Sequence, residues 1–479
     1  MSSTFKFHSQ VNETVPWQAQ YSFPTQATSC SKQIVKLPPK NGSTFAPGNI
    51  IRIEFPADNY LNVLNSVLSF DLALTGASAK KRLQRSGAHS VIKRLRVMYG
   101  SLVLEDIQEY KTLVRIFTEA GVQNDFLSTT GSVLDGVYTT VSRDNTVNKS
   151  SGTVGSTETS NAMRSGTALE LRDDLLANVI VPAGYYAEYS YADPRTFCLN
   201  LMSGILTCKK LIPLKWMAAQ LAIEITLADA TDCIITSDQT GASYSLTNVN
   251  YIAEMLEFDS TYDSAFFQGL VSGGVPLKFA SWHYHSFNMS GSTVLAQIHE
   301  RSRSVKAALA VVRSTDTATL AIDTDRFWHA AGATWNTTTG QITGPTVGAI
   351  TQFQFRVGGR YYPAQPVRCE LGGAEAMVEL LKTFDALGDY TRASTIGNYE
   401  FTSYGTGNVS AGSKFIMASE FENTDVMPDS IAGINAEEQS DIALSILCNG
   451  TPNAKRVDVF MFYDAMLVVR EGNVVDLIM

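Results

Sequence analysis

One pattern is written twice in this chain, in the same order in each half, and that doubling leaves few folds open to it. In the first half, residues 91–99 alternate as a strand, Gly100-Ser101 turn, and residues 102–107 run back as a partner strand. Tyr110, Leu113, Val114 and Phe117 then fall at i, i+3, i+4 and i+7, the stripe of a helix packed on one side. In the second half, residues 350–357 alternate, Gly358-Gly359 turn, and residues 360–367 run extended. Met377, Leu380, Leu381 and Phe384 follow at helical spacing, with Gly388 placed as a C-cap.

The halves also close alike. Residues 221–227 alternate with period two, and a polar loop leads to Tyr251-Ile252-Ala253-Glu254-Met255-Leu256. Residues 442–446 likewise precede a loop and Phe462-Tyr463-Asp464-Ala465-Met466-Leu467. The offset between copies is larger for the strand–helix unit than for the closing strands, so the first half carries an insertion between the two. Short strands separated by Gly, Asn, Asp and Pro, beginning at Ile50, have the spacing of an all-β sandwich. A chain of 479 residues has room for two large ones. The expected division is an arm over residues 1–45, a first sandwich over 46–258 and a second over 259–479, with a connecting helix at residues 261–270.

The arm is polar with spaced aromatics (Phe5, Phe7, Trp17, Tyr21, Phe23) and cannot form a core of its own, so an assembly contact is the simplest tether for it. Residues 139–167, rich in Ser, Thr, Asn and Gly, coincide with the insertion and read either as an exterior recognition loop or as a solvated spacer. The N-terminus has no apolar leader pattern and no run of 18 apolar residues occurs, so neither a secretory signal nor a membrane-spanning helix is expected. Cys30, Cys198, Cys208, Cys233, Cys369 and Cys448 form no CxxC pair and read as reduced thiols.

Constellations for chemistry are sparse. His283-Tyr284-His285 puts two imidazoles on one face of a strand, with His299-Glu300 downstream, as a metal-binding sandwich would. Such a site would also need a carboxylate just after the second histidine, where Ser286-Phe287-Asn288-Met289 stands, so two ordinary strand histidines and no metal are expected. There is no phosphate loop and no nucleophile elbow, Gly405-Thr406-Gly407 lacks the setting of a dinucleotide fingerprint, and Asp173-Asp174 and Glu437-Glu438 read as solvated acids. No catalytic residue, no cofactor and no enzymatic activity are expected. The net charge of −9 argues against coating nucleic acid over the whole surface, and no sequence-specific nucleic-acid partner is expected. Lys80, Lys81, Arg82, Arg85, Lys93, Arg94 and Arg96 nonetheless form a local basic patch without intervening acids; its readings are a neighbouring protein surface, nucleic acid or lipid, or charges neutralised within the subunit.

Two sandwiches, each with a helix after its mid-domain hairpin, resemble the double jelly-roll major capsid proteins of tailless icosahedral DNA viruses. The segment Phe355-Arg356-Val357-Gly358-Gly359-Arg360-Tyr361-Tyr362-Pro363-Ala364-Gln365-Pro366 is similar to one typical of Polinton-like viruses and virophage relatives. The segment from Asn250 to Asp259 is similar to their inter-domain strand. The resemblance implies an all-β fold of two consecutive eight-stranded jelly rolls with short helices in loops. It implies a homotrimeric, pseudo-hexagonal capsomer that tiles an icosahedral virion shell assembled inside a host cell. Capsomers would contact one another, residues 139–167 would face outward toward a host receptor, and the arm and the tail Val474-Val475-Asp476-Leu477-Ile478-Met479 would grip neighbours or minor capsid, penton or cement proteins. The competing reading is a two-domain glycan-binding or glycan-hydrolysing sandwich protein, to which Trp328, Trp335 and Tyr361 would be the local aromatics on offer.

Overall fold

The computed structural model describes residues 29–76, 81–84, 86–122, 130–136, 194–236, 242–315, 327, 334–336, 341–343, 348–370, 373–387, 396, 414–422, 433–437, 442–452, 455–470 and 474–478. The first half is built of β1 (Cys30–Leu37), β2 (Thr44–Phe45), β3 (Ile50–Glu54), β4 (Tyr60–Gly76), β5 (Lys81–Leu83), β6 (Ile92–Tyr99) and β7 (Leu102–Gln108), then helix α1 (Tyr110–Gly121). It continues with β8 (Arg195–Leu199), β9 (Leu221–Leu227), β10 (Ile234–Thr236) and β11 (Ala242–Phe258). Helix α2 (Ser260–Val271) leads to the second half: β12 (Val275–Met289), β13 (Thr293–Ile298), β14 (Val305–Ser314), β15 (Thr334–Asn336), β16 (Gln341–Thr343), β17 (Ile350–Val357) and β18 (Arg360–Arg368). Helix α3 (Ala374–Ala386), β19 (Met417–Glu420), β20 (Ile442–Cys448), β21 (Lys455–Arg470) and β22 (Val474–Ile478) complete it.

Setting aside β2, β5, β10, β15, β16 and β22, each half supplies eight strands, and the two sets pair identically. The first half gives sheets β1-β11-β4-β8 and β3-β9-β6-β7; the second gives β12-β21-β14-β19 and β13-β20-β17-β18. Counted in chain order within a half, both read 1-8-3-6 and 2-7-4-5, with all neighbours antiparallel. Each half is therefore a Greek-key sandwich with the inward face alternating along its strands, as in β17, where Ile350, Phe353, Phe355 and Val357 are buried and the residues between Phe353 and Val357 are only half-buried.

The repeated unit read from the sequence is found in place: β6-β7-α1 in one half and β17-β18-α3 in the other, closed by β9 and β11, and by β20 and β21. The insertion lies between α1 and β8, where the chain from Gly121 to Arg195 is far longer than that from Ala386 to Met417. Residues 139–167 and Gly388 fall outside the described residues. The connecting helix is α2, and its first turn is capped by the Asp259 side chain, which accepts from the Tyr262 N–H at 3.0 Å.

Two expectations are corrected. The polar loop expected before Tyr251 is strand: β11 starts at Ala242, Tyr244 and Leu246 are buried, and the small polar residues Ser243, Ser245 and Thr247 occupy the outward positions between and beside them. Residues 30–45, read as the end of a coreless arm, enter the first sandwich. β1 pairs along its whole length with β11, β2 pairs with β11, and Phe45 is buried. Little in its composition marks β1 as a strand, because backbone hydrogen bonds to β11 hold it while its side chains stay largely exposed. The apolar tail pairs within its own chain: β22 folds back as a hairpin on β21, with Val474 opposite Arg470 and Ile478 opposite Met466. Among the described residues, no helix is long and apolar enough to cross a membrane.

Candidate functional site

The histidine pair sits on β12, two residues apart and facing the same way, as the strand period requires. Glu300, just beyond β13, comes between them: His283 Nδ1 lies 3.0 Å from both its carboxylate oxygens and His285 Nε2 lies 3.5 Å from Oε2. The carboxylate also accepts from the backbone N–H groups of Arg301 (2.8 Å) and Ser302 (2.9 Å) and from Ser302 Oγ (2.7 Å). Burial alone would raise the Glu300 carboxyl, but these donors, the two histidines first, outweigh it and hold it well below the usual range. The acid missing after His285 in the sequence is thus supplied from farther along the chain, as a hydrogen-bond acceptor. His299 is exposed and takes no part, and among the described residues no group of three or more candidate ligands is arranged to hold a metal.

Three cations of the basic patch are neutralised within the chain, two of them across the sheet. Arg94 makes a two-pronged pair with Asp106 on β7 (2.6 and 2.5 Å), Arg96 pairs with Glu224 on β9, and Lys93 lies 3.7 Å from Asp229. Alternating positions on adjacent strands bring the two arginines and their carboxylates side by side. Lys80 and Arg85 fall outside the described residues, as do Trp328, Asp173-Asp174 and residues 405–407; the Glu437 carboxylate pairs with Arg303 at 2.9 Å. Tyr361 stands exposed on β18.

The densest convergence of charged side chains lies where the two sandwiches meet. β7 and α1 of the first half pack against β12, β14 and β21 of the second. Glu105 on β7 is buried and accepts from Ser203 Oγ, from the N–H groups of Gly204 (2.7 Å) and Ile205 (3.3 Å), and across the seam from Ser281 Oγ on β12 (2.5 Å). Burial pushes its carboxyl up, and those four donors offset part of that rise. Gly204 lets the two backbones meet, since a Cβ there would collide with the Ala280 carbonyl.

Deeper in the seam, Arg313 on β14 is buried between two carboxylates. It donates to Glu109 of the first half at 2.8 Å and to Asp458 on β21 at 2.5 Å. Arg456 flanks both acids, 2.8 Å from Asp458 and 3.9 Å from Glu109, and Tyr284 on β12 donates to Asp458 at 2.7 Å. Burial would raise Glu109, but Arg313, Lys111 and Arg456 outweigh it and hold its carboxyl at about 2. Helix α1 is the wedge of this seam. The one-sided helix expected from its apolar stripe is in fact buried on every side. Lys111 donates to the Asp232 carbonyl at 2.6 Å, Glu119 meets Lys414 at 2.8 Å, and Arg115 lies 4.0 Å over the Phe327 ring. Phe117 meets Trp282 and Phe384 edge-on, both at 5.4 Å.

No family model and no curated protein matches the chain. Solved structures do. The Faustovirus major capsid protein superposes with TM-score 0.59 at 8% identity, over 96% of this chain and 94% of that one. A quasi-atomic model of the PBCV-1 virus capsid gives 0.55 at 9%, over 95% and 98%, and a chain of the Sputnik virophage gives 0.53 at 11%, over 97% and 91%. Two sandwiches of identical strand order, matched from end to end, decide the architecture. The fold is a double jelly roll. At such identities the likeness is one of fold alone.

Within the double jelly roll, the seam residues were missed by sequence reasoning, although a signal for them existed. Lys306 and Arg313 stand near the two ends of a largely apolar β14, Asp458 and Asp464 interrupt an apolar β21, and buried charges of that kind require partners. What the strand pattern lacked was the identity of those partners.

Proposed function

We propose that this chain is a structural major capsid protein, found in the virion, whose homotrimers form pseudo-hexagonal capsomers that tile an icosahedral shell assembled inside the host cell. The observation that carries the reading is the end-to-end match of both jelly rolls to capsid chains. In this reading the chain divides near Asp259, with β1 and β2 counted in the first unit and residues 259–479 forming the second. Chemistry at a reactive centre is not the product. The buried Glu105, Glu119, Glu300 and Asp458 and the half-buried Glu109 are each committed to hydrogen bonds or ion pairs, as suits a rigid building block. A glycan-active protein would need an aromatic platform or a convergent acid pair, and among the described residues Tyr361 stands without either.

A shell needs repeated interfaces of moderate size and closed symmetry within each capsomer. Three copies of a two-sandwich chain supply six similar units to a ring. Residues 1–28 serve contacts with neighbouring capsomers or with minor capsid, penton or cement proteins, and exterior loops, the insertion at residues 139–167 among them, meet a host receptor. The test is the mass of the purified chain in solution together with electron microscopy for shells. Particles of three times the 52.1 kDa chain mass are expected, and a stable monomer at assembly concentrations would overturn the reading.

A further inference from the structure

The internal seam has two sides, and the chain carries a second, uncovered copy of each. One side is the fifth strand of a sandwich with the helix that follows it: β7 and α1 in the first half. The other is the first strand of a sandwich: β12 in the second half. Their topological counterparts are β18 with α3, and β1.

Burial differs sharply between counterparts. All of α1 is buried, whereas α3 exposes Ala374, Glu375, Val378 and Lys382, with Val378 at 49%. β18 is exposed at most positions, and with α3 it forms an apolar hollow of about 390 Å³ lined by Pro363, Pro366, Val367, Ala374 and Val378. β12 buries Phe279, Ser281 and Trp282, whereas β1 has no fully buried residue and leaves Ile34 at 67% exposure. Charge also matches across the two open faces. Beside the hollow Glu375 pairs with Arg368 and Glu379 with Lys382, so Glu370 gives that face its excess of acid, while β1 carries no acid and two lysines, Lys32, which pairs with Glu254, and Lys36. Lys36 is exposed and makes no ion pair among the described residues.

The geometry points to a second copy of this chain as the occupant: the β18–α3 face of one copy receives the β1 edge of the next, repeating between chains the contact that β7–α1 and β12 make within one. Such a contact is head-to-tail, so it extends until the rotation closes a ring. Ile34 enters against Val378 and Pro366, and Lys36 reaches toward Glu370 beside the hollow. The proposal rests on the trimeric reading above and names the surfaces that make the trimer.

The test uses the full chain with Ile34→Arg, with Val378→Arg, and with Leu295→Arg as control, since Leu295 is 59% exposed on β13, at the opposite edge of the sheet from β18. Mass is read by light scattering at one protein concentration, and fold by circular dichroism. Ile34→Arg and Val378→Arg are each expected to drop threefold in mass with unchanged dichroism, while Leu295→Arg keeps the wild-type mass. A folded Ile34→Arg or Val378→Arg variant that stays trimeric overturns the assignment of these faces while leaving the trimer intact. A wild type already at the mass of one chain refutes the trimer itself. The two substitutions lie on different sandwiches, so a folding failure in one leaves the other to decide.

Discussion

Replacing Arg313 by Met keeps the reach of the side chain and removes the charge that ties the first sandwich to the second. At 2.8 Å and an effective dielectric of about 20, the Arg313–Glu109 attraction alone is roughly 6 kcal/mol, and desolvation of the buried ions cancels a large part of it. An independent gauge is Glu109 itself: holding its carboxyl at about 2 instead of 4.5 corresponds to about 3 kcal/mol. Losing one member of a buried pair typically costs about 3–5 kcal/mol, and Arg456 remains beside both acids, so a loss of about 3 kcal/mol is expected. Thermal unfolding at fixed protein concentration and pH 7 is the assay, and a fall in Tm of roughly 6–12 °C is expected for a unit of this size. The pH dependence gives a second handle. A depressed carboxyl contributes stability above its unfolded value and loses it as pH falls through the folded one. The gap between wild type and Arg313→Met should therefore narrow between pH 4.5 and 2. A cost below about 1 kcal/mol at pH 7, or a gap that persists undiminished at pH 2, would refute the claim that this ion cluster holds the seam.

Phe117→Ala removes the ring wedged between Trp282 and Phe384 and should cost about 3–5 kcal/mol by denaturant unfolding; a loss under 1 kcal/mol would mean the wedge is dispensable. Gly204→Ala forces apart the backbones at Ala280 and should cost about 1–3 kcal/mol, with faster limited proteolysis at the junction, whereas wild-type resistance would argue against a tight seam there. The double variant His283→Ala, His285→Ala withdraws two donors from buried Glu300 and should cost about 1–3 kcal/mol while leaving metal content by mass spectrometry and assembly unchanged; a stoichiometric metal present in wild type and lost in the variant would replace the hydrogen-bond account. Deletion of residues 1–28, which spares β1, should leave trimers that build no shells; normal shells would remove the tethering role from that segment.

Local periodicity made most strands legible. β17 and β9 coincide with the residues that alternate in the sequence, and α3 with the stripe Met377, Leu380, Leu381 and Phe384, because period-2 and period-3.6 patterns record which face meets the core. β1 left no such record, because it is held by backbone pairing to β11 and keeps its side chains in solvent. Helix α1 misled in the opposite direction. Lys111, Arg115 and Glu119 look like a solvated face, yet they are buried against Asp232, Phe327 and Lys414, which lie far along the chain. The same holds for the basic patch, where Arg94 and Arg96 find their carboxylates on the neighbouring strands β7 and β9.

The sequence by itself determined that there are two sandwiches, where their helices fall and which half carries the insertion, since each of these is written in short-range pattern. Tertiary structure alone decided that both halves wind as 1-8-3-6 and 2-7-4-5, that Arg313 meets Glu109 across 204 residues of chain, and which copies of the seam surfaces stay open. The physical reason is that alternation reports only whether a side chain faces inward. The choice of neighbour is fixed by strand pairing and by the need of each buried charge for a partner, and both are satisfied only when distant segments come together.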